Sequence, residues 1–211
     1  KKKLAIITSG KAYLDVRQAL DELGLTEKKC KEIGVSLYKV GMVWPLEPDN
    51  ILDFVDGHDE VLVIEEKRPI IEDQLIKYLF NKPNRPIIIG KNDEEGNDLI
   101  PSDGELSPSF LSLIVAKRIQ NLLLKIDLTP KVKEIEELIS NIHNSPGSDL
   151  FRLPSFCAGC PHNTSTNIPE DSFAFGGIGC HGMATFMPER KTYNLGQMGG
   201  EGVMWTGIAP F

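Results

Sequence analysis

The chain has 211 residues, 41% of them hydrophobic, enough to bury a real core in one large domain or two small ones. Its 30 acidic and 23 basic side chains leave a formal charge of −7, so the overall basic field that draws a protein to nucleic acid or anionic lipid is missing. Residues 1–3 are lysines followed by only four apolar residues, too short a run for a signal peptide, and no stretch of about 18 apolar residues exists to cross a bilayer. We therefore expect a soluble cytoplasmic protein with neither a nucleic-acid nor a membrane partner.

Residues 4–7 form a short apolar run, Tyr13, Val16, Leu20 and Leu23 follow at helical spacing, and Val35–Val40 is apolar again, with glycine at each break. This reads as strand, helix, strand. Residues 51–55 then read as a short helix, 61–64 as a continuous apolar strand, Ile71, Leu75 and Leu79 as a helical stripe, and Ile87–Ile89 as another strand. Such alternation predicts an α/β fold, a parallel sheet with helices on both faces.

Ser107-Pro108 is a helix start, serine to cap free amides and proline set for the first turn, and the apolar stretch it opens reaches Leu124. Thr129-Pro130 repeats the signal. The second helix carries Val132, Ile135, Ile139 and Ile142 on one face and stops at Asn144-Ser145-Pro146-Gly147. The domain boundary is placed there, giving domains 1–146 and 147–211.

From residue 151 onward periodicity fades and glycines crowd in, among them Gly176, Gly177, Gly179, Gly199 and Gly200. They suit backbone that approaches a ligand closely, or they are merely turns. Ala209-Pro210-Phe211 follows with no evident helix or strand to close the segment, so this end is expected to look cut and to pack poorly.

Cys157-Ala158-Gly159-Cys160-Pro161-His162 and Ile178-Gly179-Cys180-His181 gather three thiols and two imidazoles into residues 157–181. Thiolates two residues apart can reach one metal from a single turn, as they do in zinc and iron–sulfur sites, and Cys180 can supply a third sulfur. Zinc would be completed by His162 or His181, whereas a cubane cluster wants four thiolates and the segment offers three. A free dithiol or an adventitious disulfide stays open, and each histidine could simply bond a carbonyl.

Cys30, within the charged segment Glu27-Lys28-Lys29-Cys30-Lys31-Glu32, reads as a structural bystander. Glu65-Glu66-Lys67-Arg68 ends a strand, where ligands gather in parallel sheets, but reads first as solvated charge. Trp44 reads as a packing residue rather than a stacking platform. Residues 92–98 lack EF-hand ligand spacing and read as a surface loop.

These residues carry a resemblance. Residues 40–48 (Val-Gly-Met-Val-Trp-Pro-Leu-Glu-Pro) and 61–67 (Val-Leu-Val-Ile-Glu-Glu-Lys) resemble the domain similar to the transketolase C-terminal domain in the indolepyruvate ferredoxin oxidoreductase family of thiamine-diphosphate-dependent 2-oxoacid:ferredoxin oxidoreductases. Residues 156–162, 177–181 and 197–202 resemble the opening of that family's thiamine-diphosphate-binding domain, incomplete here. The resemblance spans essentially the whole chain. It implies that Cys157, Cys160 and Cys180 match three of the four cysteines of a 4Fe-4S cluster. It also implies that Ile178, Gly179, Cys180, His181, Gln197, Met198, Gly199 and Gly200 approach the cofactor. The implied reaction is oxidative decarboxylation of an aryl pyruvate to its acyl-CoA, with ferredoxin as electron acceptor and CoA as co-substrate, in a homo-oligomeric parent enzyme where other domains of the same polypeptide complete the site. The magnesium (Mg2+) segment Gly-Asp-Gly and the activating glutamate of that pattern are not among these residues. Ser102-Asp103-Gly104 and Val55-Asp56-Gly57 resemble the former only superficially, so the fragment alone is expected to be inactive. The competing hypothesis is a small α/β binding or interaction domain with a structural zinc site.

Overall fold

The computed structural model describes residues 1–122, 126–144 and 153–211, with side chains described for all of these except 142–144. The expected reach of the first long helix to Leu124, the side chain of Ile142 and the boundary at 146/147 lie outside the described residues. The chain divides into two compact units, residues 1–145 and 146–211.

In the first unit Leu4–Ser9 (β1), Val35–Val40 (β2), Glu60–Ile64 (β3) and Ile87–Ile89 (β4) form one sheet in the order β2-β1-β3-β4. Every pair is parallel, with Ile6 opposite both Leu37 and Leu62. All five residues of β3 are buried, because a strand covered on both faces needs apolar side chains on both.

Successive side chains on a strand point to opposite faces, and the two faces hold separate cores. Leu4, Ile6, Leu62, Ile64 and Ile89 cluster with Val16 and Leu20 of Gly10–Glu22 (α1), with Leu111, Val115 and Ile119 of Pro108–Leu122 (α5), and with Ile135 of Thr129–Asn144 (α6). Ala5, Ile7, Val61 and Val63 cluster with Ile51 and Val55 of Pro48–Val55 (α3), and with Ile71 and Leu75 of Ile70–Leu79 (α4). Each fully buried Leu or Ile contributes about 1.5–3 kcal/mol, so the two-sided cover is the main source of this unit's stability. The alternation thus gives the expected parallel α/β sheet.

One element was not expected. Glu27–Ile33 (α2) is a helix, started by the Thr26 hydroxyl, which accepts from Lys29 N at 3.3 Å, and ended by Gly34 at φ +83°. Only Cys30 of this helix is buried, so no apolar stripe marks it in sequence.

The second unit carries His162–Ser165 (α7), Ala174–Gly176 (β5), a 3-10 helix at Gly179–Phe186, another at Pro188–Arg190, Thr192–Leu195 (β6) and Val203–Ile208 (α8). Strands β5 and β6 pair in parallel with a register shift between Phe175 and Gly176. Phe173, Phe175, Tyr193 and Trp205 pack ring on ring, with centroids 5.0–5.9 Å apart. The expectation of no regular element near residue 211 is corrected by α8, which no apolar periodicity announces, although none of its residues is buried.

Candidate functional site

Both strands of the second unit lead into glycine-rich turns at the same end of a parallel pair, the edge where ligands gather in parallel sheets. Strand β5 ends at Gly176 and is followed by Gly177, Ile178 and the 3-10 helix that holds Gly179, Cys180 and His181. Strand β6 ends at Leu195 and is followed by Gly196, Gln197, Met198, Gly199 and Gly200. The turn after β6 closes through Gly200 N, which donates to Gln197 O at 2.9 Å. Gly179 and Gly199 both lie at φ +85°, with open space where a Cβ would stand, so their backbone can be approached without a side chain in the way. Ile178 and Met198 are exposed.

Each turn is closed by its own side chain, and the two lie side by side. Gly177 N donates to His181 Nδ1 at 2.7 Å, which leaves the ring proton of a neutral His181 on Nε2. A Cβ on Gly177 would also stand 3.9 Å from Cγ of Glu201, and the Glu201 carboxylate accepts from Gly199 N at 2.9 Å. Glu201 sits in the Gly-Gly-Glu-Gly motif and its carboxylate folds back on its own turn. A carboxylate here opposes a bare diphosphate and favours one that carries a divalent cation.

The paired cysteines lie on one tight turn. Cys160 N donates to Cys157 O at 3.0 Å, Asn163 Nδ2 donates to the same oxygen at 3.0 Å, and Gly159 takes φ +73°. Cys160 Sγ lies 3.2 Å from His162 Nδ1. The His162 ring stacks between Phe156 and His181, centroids 5.3 and 6.0 Å away, which brings the first cysteine turn beside the turn that holds Cys180. All three thiols are free, Cys157 and Cys180 exposed and Cys160 half-buried.

The donor chemistry suits a thiophilic metal: three accessible sulfurs, two of them on a hydrogen-bonded turn. Among the described residues no three His, Cys, Asp or Glu side chains stand close enough together to hold one ion. The thiols therefore suit an iron–sulfur group by type and exposure without forming a closed cage, and at the Gly179 and Gly199 turns the backbone is open to close approach.

Two residues of the first unit, Glu65 and Trp44, depart from their sequence reading. The Glu65 carboxylate is buried rather than solvated and accepts from Ile71 N at 2.8 Å and Glu72 N at 3.0 Å, capping α4. Burial pushes its pKa up against those bonds. Burial likewise lowers Lys91, whose Nζ donates to Glu65 O at 2.6 Å. Trp44, expected to pack, is 70% exposed. Cys30 is buried, with Sγ 3.6 Å from Leu25 O, and residues 92–98 form a turn in which Asp93 Oδ1 accepts from Glu95 N and Asn97 N.

The family model described as the indolepyruvate oxidoreductase domain matches residues 1–146. The chain belongs to this family. The indolepyruvate oxidoreductase subunit IorA of Thermococcus kodakarensis is 29% identical over 208 residues, covering 93% of this chain and 28% of the relative. That of Pyrococcus horikoshii is 28% identical over 204 residues, covering 94% and 28%. The chain thus spans just over a quarter of the length of these relatives, and the match runs through both units. Overlaps with solved structures are partial. A 2-oxoglutarate:ferredoxin oxidoreductase from Magnetococcus marinus gives a TM-score of 0.39 at 20% identity, covering 57% of this chain and 18% of that one. A split-gene transketolase gives 0.38 at 18% identity, covering 58% and 39%. Among the described residues no helix is long and apolar enough to cross a membrane.

Proposed function

We propose that this chain works within an indolepyruvate ferredoxin oxidoreductase that converts an aryl pyruvate and CoA to the acyl-CoA and passes the electrons to ferredoxin. In this reading the first unit is a transketolase C-terminal-like scaffold and residues 147–211 open the cofactor domain. Other domains of the same polypeptide, in a homo-oligomer, supply the magnesium segment and the activating carboxylate. The observation that carries the proposal is the meeting of two open glycine turns at one end of the β5–β6 pair, beside the turn of Cys157 and Cys160.

Thiamine diphosphate, when bound, supplies a carbon nucleophile and an electron sink for decarboxylation. An iron–sulfur cluster, when bound, supplies one-electron transfer. The residues of this chain do the holding. The backbone amide of Gly179 would meet the diphosphate, with Ile178, Gln197, Met198, Gly199 and Gly200 shaping the two turns around it. Cys157, Cys160 and Cys180 would hold the cluster. His181 keeps the first turn closed through Gly177 N, and Glu201 keeps the second closed through Gly199 N. The zinc alternative draws no support from His181, whose Nδ1 is already engaged.

The test is phenylpyruvate- or indolepyruvate-dependent viologen reduction by the enzyme that carries this chain, with and without CoA. Reduction that requires CoA and is lost in Cys157→Ser, Cys160→Ser and Cys180→Ser is expected. Full activity in those variants would overturn the proposal.

A further inference from the structure

Hydrogen-bond donors crowd the turn of Cys157 and Cys160, and the backbone and amide donors there are engaged on carbonyls. Cys160 N and Asn163 Nδ2 both donate to Cys157 O at 3.0 Å, and Asn163 N donates to Cys160 O at 3.0 Å. One group faces a sulfur instead. His162 Nδ1 lies 3.2 Å from Cys160 Sγ, and both side chains are half-buried. The imidazole is stacked on both faces, by Phe156 at an interplanar angle of 21° and by His181 at 24°, which limits its rotation away from the sulfur.

The chemistry of the pair decides which atom carries the proton. A metal-bound thiolate has none, so in a loaded site the hydrogen bond requires the ring nitrogen to donate. A shared ion does not account for the contact, because sulfur and nitrogen on one tetrahedral zinc, at about 2.3 and 2.0 Å, would stand roughly 3.5 Å apart. Partial burial makes such a hydrogen bond stronger than it is in water. Reduction adds negative charge to a cluster and its sulfurs, and an N–H dipole aimed at one of them favours the charged form.

We infer that His162 donates a hydrogen bond to the metal-bound sulfur of Cys160 and thereby raises the reduction potential of the iron–sulfur group. The inference rests on the iron–sulfur reading proposed above and adds to it a positioning residue that is not itself a ligand. One electron enters the group, from the aryl pyruvate in the proposed reaction or from dithionite in the test. The ring keeps its proton throughout, and no covalent bond forms or breaks at His162.

The test is anaerobic reconstitution of the 211-residue protein with iron, sulfide and a small thiol, then dithionite titration read by electron paramagnetic resonance. The unaltered chain is compared with His162→Phe, which keeps a ring in the stack and removes the donor. At a fixed poise the ratio of reduced to oxidised group should fall about tenfold in the variant, the effect of one hydrogen bond, equivalent to about 59 mV for a one-electron couple. Pulsed resonance on protein carrying isotope-labelled histidine should show a weak ring-nitrogen coupling that His162→Phe removes. An equal or higher potential in His162→Phe, or a strong coupling that marks the ring nitrogen as a ligand, would overturn the assignment. If His162→Phe takes up no iron, the coupling is read in His181→Gln, where His162 is the imidazole left between residues 157 and 181; a weak coupling there upholds the assignment and its absence overturns it. Failure of the unaltered protein to take up iron would overturn the iron–sulfur reading and this assignment with it, whereas iron uptake with an unmoved potential removes the assignment alone.

Discussion

Arg118 is 5% exposed in the first unit, and its charge is matched by two carboxylates. Nε and Nη2 grip Glu60 at 2.9 and 2.5 Å, and Nη1 holds Glu94 at 2.9 Å, which raises the arginine's pKa further above its ordinary value. The triad joins α5 to the start of β3 and to the 92–98 turn. Arg118→Ala would strand Glu60 in a dry site, and chemical denaturation should show a loss of about 3–5 kcal/mol, the usual consequence of removing one partner of a buried pair. A loss below about 1 kcal/mol would show the pair to be solvated. His58 behaves differently. Its Nε2 is buried without a partner, Nδ1 lies 3.3 Å from Val55 O, and burial, helped by the nearby Lys2 ammonium, lowers its pKa from 6.5. The folded state then binds this proton less readily than the unfolded chain. The associated stability is complete above the unfolded pKa and is lost as pH falls from there toward the lowered folded value. Urea midpoints of the unaltered protein should drop between about pH 7.5 and pH 5.5, and His58→Gln should drop less; identical drops would contradict the assignment.

At the scale of elements, capping and turn residues decide where helices begin and end. Glu65 stands at the end of β3 and satisfies the first free amides of α4, whose N-cap Pro69 offers no side-chain bond. Glu65→Ala should cost about 0.5–2 kcal/mol in thermal or chemical unfolding, the range for a lost cap, and no change would mean that water replaces it. Gly34 ends α2 at φ +83°, and a Cβ there would stand 2.1 Å from Lys1 O, so Gly34→Ala should destabilise by about 2 kcal/mol or more and loosen the pairing of β1 with β2. The four parallel strands and α1, α3, α4, α5 and α6 were legible because apolar runs and helical stripes are local signals. Helix α2 was not, since Thr26 and Gly34 mark it while only Cys30 is buried. The cysteine and glycine motifs were legible as types. The stack of Phe156, His162 and His181 was not, because it joins side chains whose approach follows from the fold and not from spacing.

At the scale of the molecule the two units differ in how they are held. The first buries apolar faces on both sides of its sheet. In the second, Ala184 is the one buried hydrophobic side chain among the described residues, and the two-stranded parallel sheet leaves Tyr193 and Leu195 exposed, although parallel strands ordinarily have both faces covered. Limited proteolysis should therefore cut the second unit well before the first, and equal rates would contradict this difference. Thiamine diphosphate should bind the 211-residue protein more weakly than about 1 μM, since the proposed magnesium segment is not among its residues, and submicromolar calorimetric binding would show that the two glycine turns suffice. The central claim, that the sulfurs of Cys157, Cys160 and Cys180 serve one iron–sulfur group, is tested most directly by anaerobic reconstitution with iron, sulfide and an excess of small thiol as fourth ligand, read by iron content and electron paramagnetic resonance. The account predicts about four irons per chain in the unaltered protein and in Cys30→Ser, and loss of the signal in each of Cys157→Ser, Cys160→Ser and Cys180→Ser. Full iron in Cys180→Ser, or uptake of stoichiometric colourless zinc in place of iron by the unaltered protein, would contradict it.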